Sequence, residues 1–79
     1  MNTNMILNLK QGEYPNFENQ DGFIVNFTRT SIFGSEYLIA TDFEGTTKIY
    51  SYDFIRNYTE DFKEEISEDF QFADNVWDE

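Results

Sequence analysis

The interval at which apolar residues recur changes once along this chain. From Gly22 to Phe33, in GFIVNFTRTSIF, the interval is two, with Phe23, Val25 and Phe27 on one side and Asn26, Thr28 and Thr30 on the other. After Ser51 it is four, through Phe54, Tyr58, Phe62, Ile66 and Phe70, with Ile55 joining the same stripe. A period of two belongs to a half-buried strand and one near 3.6 to an amphipathic helix. The sequence therefore predicts one α+β domain: a three- or four-stranded antiparallel sheet over about residues 5–51, with a C-terminal amphipathic acidic helix over about 52–72 packed on one face, and a tail at 73–79.

Turn signals divide the first part. Gly34-Ser35 reads as a two-residue turn with Gly at its first central position, answered by the strand EYLIATDF. Glu44-Gly45 marks the next turn, and TTKIYS gives a third strand. Met5–Leu9 fits either a fourth strand or a short helical turn. The stretch QGEYPNFENQDG, with the only Pro and two Gly, reads as a loop. Ser51 and Thr59 both qualify as helix N-caps, so the region fits either one helix or a pair jointed near Asn57–Thr59. Glu60 and Asp61, just after Thr59, suit the positive end of a helix macrodipole.

Seventy-nine residues bury only about 60–65% of the surface of the unfolded chain, which disfavours a large enclosed pocket. Nine Phe, five Tyr and one Trp still allow a small core to close. With no Cys and no His, thiol nucleophiles, disulfides, the usual zinc ligands and the natural neutral-pH titrant are absent from the repertoire. The opening MNTNMILNLKQ has neither a basic leader nor a long apolar run, so no signal peptide or membrane span is expected, and a cytoplasmic setting fits. The sequons at Asn26 and Asn57 then read as chance matches.

The charge is the unusual quantity. Sixteen acids against five bases give a net −11, beyond the magnitude of about 2–8 that keeps a small domain soluble. Its distribution is uneven: six acids and three bases precede Ser51, and ten acids and two bases follow Tyr50. On a helical wheel Asp53, Glu60, Asp61, Glu64 and Glu68 fall opposite the apolar stripe, with Glu65 and Asp69 beside them. Lys63 alone lies near enough to offset the repulsion among Glu60, Glu64 and Glu68. A solvated outer face is the plain reading of this pattern. Set against it are the surplus charge, its segregation, and the scarcity of the Lys and Arg that usually alternate on such faces.

Catalytic and ligand chemistries find little support. Paired carboxylates need a pocket that separates their pKa values, and these are expected on an open helix face. Asp61-Phe62-Lys63 has the acid-x-Lys spacing of some metal-dependent nucleases but falls mid-helix without a partner acid on a strand. No calcium loop and no glycine-rich phosphate cradle is present. Five bases in total argue against direct nucleic-acid binding. No enzyme activity, cofactor or metal is therefore expected. The tail DFQFADNVWDE either folds back through Phe70, Phe72, Val76 and Trp77, or presents Trp77 among Asp74, Asp78 and Glu79 as a contact for a basic pocket.

The length, the absence of Cys, a hairpin ending in SEYLIATD and the dense acidic TEDFKEEISEDF together resemble the small acidic inhibitors of bacteriophages and mobile elements, in particular anti-CRISPR proteins that block type II RNA-guided nucleases. The likeness spans Gly34 to Phe70. It implies a DNA mimic, acting in the bacterial host cytoplasm, that occupies the basic cleft where the nuclease and its guide RNA read duplex DNA. Inhibitors of uracil-DNA glycosylase, restriction enzymes, and replication or nucleoid proteins share the profile. On this reading the partner-binding residues are Asp53, Glu60, Asp61, Glu64, Glu65, Glu68, Asp69, Asp74, Trp77 and Asp78. Two rivals stand beside it: an adaptor or homodimer using a sheet edge or the aromatic tail, and a small enzyme with a metal among Asp42, Glu44 and Asp53.

Overall fold

The computed structural model describes residues 1–77 and has the α+β architecture. In chain order the elements are α1 (Thr3–Leu7), β1 (Asn16–Glu18), β2 (Ile24–Ile32), β3 (Ser35–Asp42), β4 (Thr47–Ser51), α2 (Tyr52–Asn57), α3 (Thr59–Phe70) and a 3₁₀ turn at Asp74–Val76. The strands form one antiparallel sheet in the order β1-β2-β3-β4. Val25 and Phe27 of β2, Leu38 and Ala40 of β3, and Tyr50 of β4 are buried on one face. Against them pack Tyr52 and Ile55 of α2, Phe62, Ile66 and Phe70 of α3, Ile6 and Leu9 near the N-terminus, and Phe72. Each such side chain contributes roughly 1.5–3 kcal/mol on burial, so a few large rings close a core this small.

The fourth strand comes from the stretch expected to be a loop. Phe17 of β1 pairs with Val25 and lies 5.5 Å from the Phe27 ring. Pro15 does not disrupt the pairing, because it needs no donor at the sheet edge and its carbonyl accepts from Phe27 N at 3.0 Å. Met5–Leu9 is no strand: α1 is a short helix capped by Asn2, whose side chain accepts from Met5 N. Phe23 leaves the core side assigned to it by alternation. It precedes β2, and its ring meets Phe43 edge-on at 4.7 Å in a solvent-exposed pair.

The β2–β3 turn falls one residue earlier than expected. Ile32 pairs with Ser35, leaving Phe33 and Gly34 as the central residues, at φ 50° and 81°. Two positive φ values give the hairpin turn whose twist matches right-twisted strands, normally filled by Asn-Gly. Phe33 occupies the Asn position with its ring fully in solvent.

Of the two arrangements the chain takes the broken pair, interrupted at Tyr58 (φ −131°, ψ 52°). Ser51 caps α2 by accepting from Phe54 N at 3.1 Å. Thr59 is not a cap: its hydroxyl donates backward to Ile55 O at 2.8 Å and so closes the end of α2. Tyr58, placed in the apolar stripe by its spacing, is exposed, because the break rotates it away from the sheet.

Arg29 joins the layers. Its Nη1 donates to Leu7 O at 3.1 Å and Leu9 O at 2.9 Å, its guanidinium lies 4.1 Å from the Tyr52 ring centre, and Nε sits 3.5 Å from Glu36. Tyr52 completes the clasp by donating to Ile6 O at 2.9 Å. Replacing Arg29 by Leu strands two carbonyls and removes the ring contact. The expected cost is about 2–4 kcal/mol, read from chemical denaturation. Phe33→Asn, by contrast, should stabilise the hairpin by about 0.5–1 kcal/mol, seen as a higher Tm, since Asn tolerates positive φ better than Phe.

Candidate functional site

Six carboxylates line α3: Glu60, Asp61, Glu64, Glu65, Glu68 and Asp69. At 100° per residue they occupy about half the helix circumference, while Phe62, Ile66 and Phe70 anchor the opposite side to the sheet. The first five are exposed, and Asp69 is half-buried. Asp69 is fixed by Tyr50, whose hydroxyl donates to Oδ2 at 2.7 Å. Lys63 lies 3.4 Å from Glu60.

This placement runs against helix stability. Glu60/Glu64, Glu64/Glu68, Asp61/Glu65 and Glu65/Asp69 are like-charged pairs four apart, costing a few tenths of a kcal/mol each. Glu68 and Asp69 also stand in the last turn, which carries no base, at the negative end of the macrodipole. The helix ends with Gln71 in the left-handed region (φ 54°). Its terminal carbonyls are met from the β1–β2 loop: Asn19 Nδ2 donates to Phe70 O at 2.9 Å and Gln20 N to Gln71 O at 3.2 Å.

That junction brings in carboxylates that spacing along the sequence did not reveal. Asp21, Asp42, Glu44 and Asp69 line one concavity of about 280 Å³ where the β1–β2 and β3–β4 turns meet the end of α3. Asp42 Oδ1 accepts from Glu44 N and Thr46 N at 3.0 and 2.9 Å, which fixes its turn. The exposed Phe23–Phe43 pair stands beside it. The only signal available in the sequence was the Asp-x-Glu-Gly turn itself, and nothing there tied it to Asp69.

Other sequence-selected residues lie apart from the band. Asp53 is not on its wheel, because the break at Tyr58 ends the continuous helix. It is exposed on α2, 3.5 Å from Arg56, and lines a separate hollow with Gly34, Ser35 and Glu36. Asp42 and Glu44 sit at the opposite end of β3 from Asp53, so these three cannot share a metal. Among the described residues no group of three or more His, Cys, Asp or Glu could hold one.

The tail folds back. Phe72 is buried, and Trp77 is half-buried with its ring 6.0 Å from Phe62 and its Nε1 donating to Ser67 at 2.9 Å. Trp77 is thus a wall, not a free plug. With Glu60, Lys63, Glu64, Ser67 and Asp74 it borders a shallow hollow of about 350 Å³ on the flank of α3. Asp78 lies outside the described residues. Among those described, no helix is long and apolar enough to cross a membrane. No family model, curated protein or solved structure matches the chain.

Burial, then the bond to Asp69 and the charges of Asp69 and Glu65, hold the Tyr50 pKa far above the ordinary tyrosine value. Burial raises Tyr52 as well, with Arg29 opposing and Glu36 reinforcing the shift. Both pKa values are raised on folding, so the unfolded chain loses these protons first. Their contribution is complete below about pH 10 and declines as pH rises beyond it. Thermal melts should therefore show Tm falling steeply above about pH 10, with a shallower fall in Tyr50→Phe.

Proposed function

We propose that this protein is a non-enzymatic inhibitor that lays the acidic face of α3 into the nucleic-acid cleft of a basic, DNA-handling bacterial protein, in the manner of an anti-CRISPR that stops a type II RNA-guided nuclease from recognising DNA. One observation carries the reading: six carboxylates stand on half the circumference of a single helix whose other side is pinned by Phe62, Ile66 and Phe70. At 1.5 Å per residue they span about 14 Å, close to one charge per 2–2.5 Å of axis. Duplex DNA presents one per roughly 1.7 Å counting both strands, and one per about 3.4 Å on either strand alone. A groove lined by Lys and Arg for phosphates meets comparable charge density here, without any base to read.

The acids of the adjoining concavity, Asp21, Asp42 and Glu44, continue the negative field past the end of α3. The Phe23–Phe43 pair offers a large contact at its margin, and aromatic residues concentrate binding energy at interfaces. The destabilising acids of the last turn are consistent with selection for an external partner. A field of this sign would also steer encounter, giving fast association that weakens as salt rises.

The target is named by affinity capture from a nuclease-treated bacterial lysate with elution by a salt gradient. Recovery of a basic DNA-handling protein supports the proposal and separates an RNA-guided nuclease from a restriction, repair, replication or nucleoid protein. The site is tested with Glu60→Gln, Glu64→Gln and Glu68→Gln combined, which removes three charges while keeping helix propensity. Affinity for the captured target should drop about tenfold or more at physiological salt, with a shallower salt dependence. Unchanged affinity in the folded triple variant would reduce the band to ordinary solvated surface.

A further inference from the structure

The helices cover one face of the sheet, and the other face is nearly without charge. Register places Ile24, Asn26, Thr28, Thr30 and Ile32 of β2, Tyr37, Ile39 and Thr41 of β3, and Thr47 and Ile49 of β4 on it together. Its one acid among the strand residues is Glu18, on the short edge strand β1. Across its centre Thr28, Ile39 and Ile49 form a cross-strand row, beside a row of Asn26, Thr41 and Thr47. Ile24, Ile32 and Ile49 are exposed. In a chain of net −11, this is where the carboxylates are not.

We propose that this face is the interface of a homodimer, in which a second copy packs sheet against sheet about 10 Å away to form a sandwich. Charge chooses the occupant. Two copies repel through α3 and through the turn acids, and the open sheet face is the broad surface they can bring together without stacking carboxylates. A basic partner is drawn to the other side of the molecule instead. Related by a two-fold axis, the copies would turn both acidic helices outward, giving an inhibitor with two opposed charged faces.

Size sets the strength. At about 3.3 Å per residue and 4.8 Å between strands the strand residues cover roughly 400 Å² per copy. Two such faces, about 800 Å² together, fall below the roughly 1,200 Å² of stable specific interfaces, so the dimer is a weak, transient one, no tighter than the micromolar range. The sign of its salt dependence is distinctive. Screening relieves repulsion between like-charged copies, so salt should strengthen the dimer while it weakens binding to a basic target. The inference therefore stands or falls independently of the proposed function.

Sedimentation of the full chain from about 5 μM to 1 mM, at low and high salt, tests it. The expected result is a monomer–dimer equilibrium whose midpoint moves to lower concentration as salt rises. Ile39→Lys and Ile49→Lys should each abolish the dimer, although both reduce the net negative charge that opposes it. For the unaltered protein, amide chemical shifts followed on dilution should change along the outward positions of β2, β3 and β4 and not along α3. A monomer throughout, a dimer that survives both substitutions in folded protein, or shift changes centred on α3 would each overturn the proposal.

Discussion

Arg29 donates to two carbonyls of the N-terminal segment while its guanidinium lies on Tyr52, and in doing so it fixes the positions of three parts of the molecule at once. The N-terminal segment has no strand pairing to hold it, and without these bonds the carbonyls of Leu7 and Leu9 would need other partners in a half-buried place. Tyr52, held from above by Arg29 and bonded to Ile6 O, starts α2 directly from the end of β4. At Tyr58 the backbone leaves the helical region, and α3 begins anew with Phe62, Ile66 and Phe70 in the core. The acidic face points outward because this sequence of constraints leaves Phe62, Ile66 and Phe70 pointing in.

Charge in this domain is arranged by face as well as by total. One side carries the carboxylates of α3 and the turn acids that join them at Asp69. The open sheet carries Ile, Thr, Asn and Tyr and almost no charge. Repulsion within α3 costs stability that the aromatic core offsets, and tolerating such a cost is easier to understand if an external cation-rich surface relieves it. The two proposals use different sides of the molecule, so a dimer would leave both acidic helices free.

The change of period near Ser51 was enough to read the hairpin, the third strand and an acidic helical region as one helix or a jointed pair, because each pattern arises within one element from residues close in sequence. The errors lie where that locality fails. Phe33-Gly34 forms the hairpin turn because pairing of Ile32 with Ser35 set the register, overriding the ordinary preference against Phe at positive φ. Phe17 became part of a strand because an adjacent edge was free, despite Pro15 beside it. Tyr58 and Asp53 kept helical spacing with their neighbours, but the non-helical backbone of Tyr58 itself interrupted the wheel on which that spacing had meaning. Arg29 gave no periodic signal at all.

By itself, then, the sequence determined the class of the fold, the acids of α3 and the absence of Cys and His, since composition and short-range periodicity dictate which side chains share one face of one element. Tertiary structure alone decided that Asp21, Asp42 and Glu44 meet Asp69, that Asp53 stands apart, that Trp77 closes a flank, and that the uncharged positions of β2, β3 and β4 merge into one surface. Those relations depend on chain reversals and strand register, which bring together residues far apart in sequence, and no local pattern encodes them.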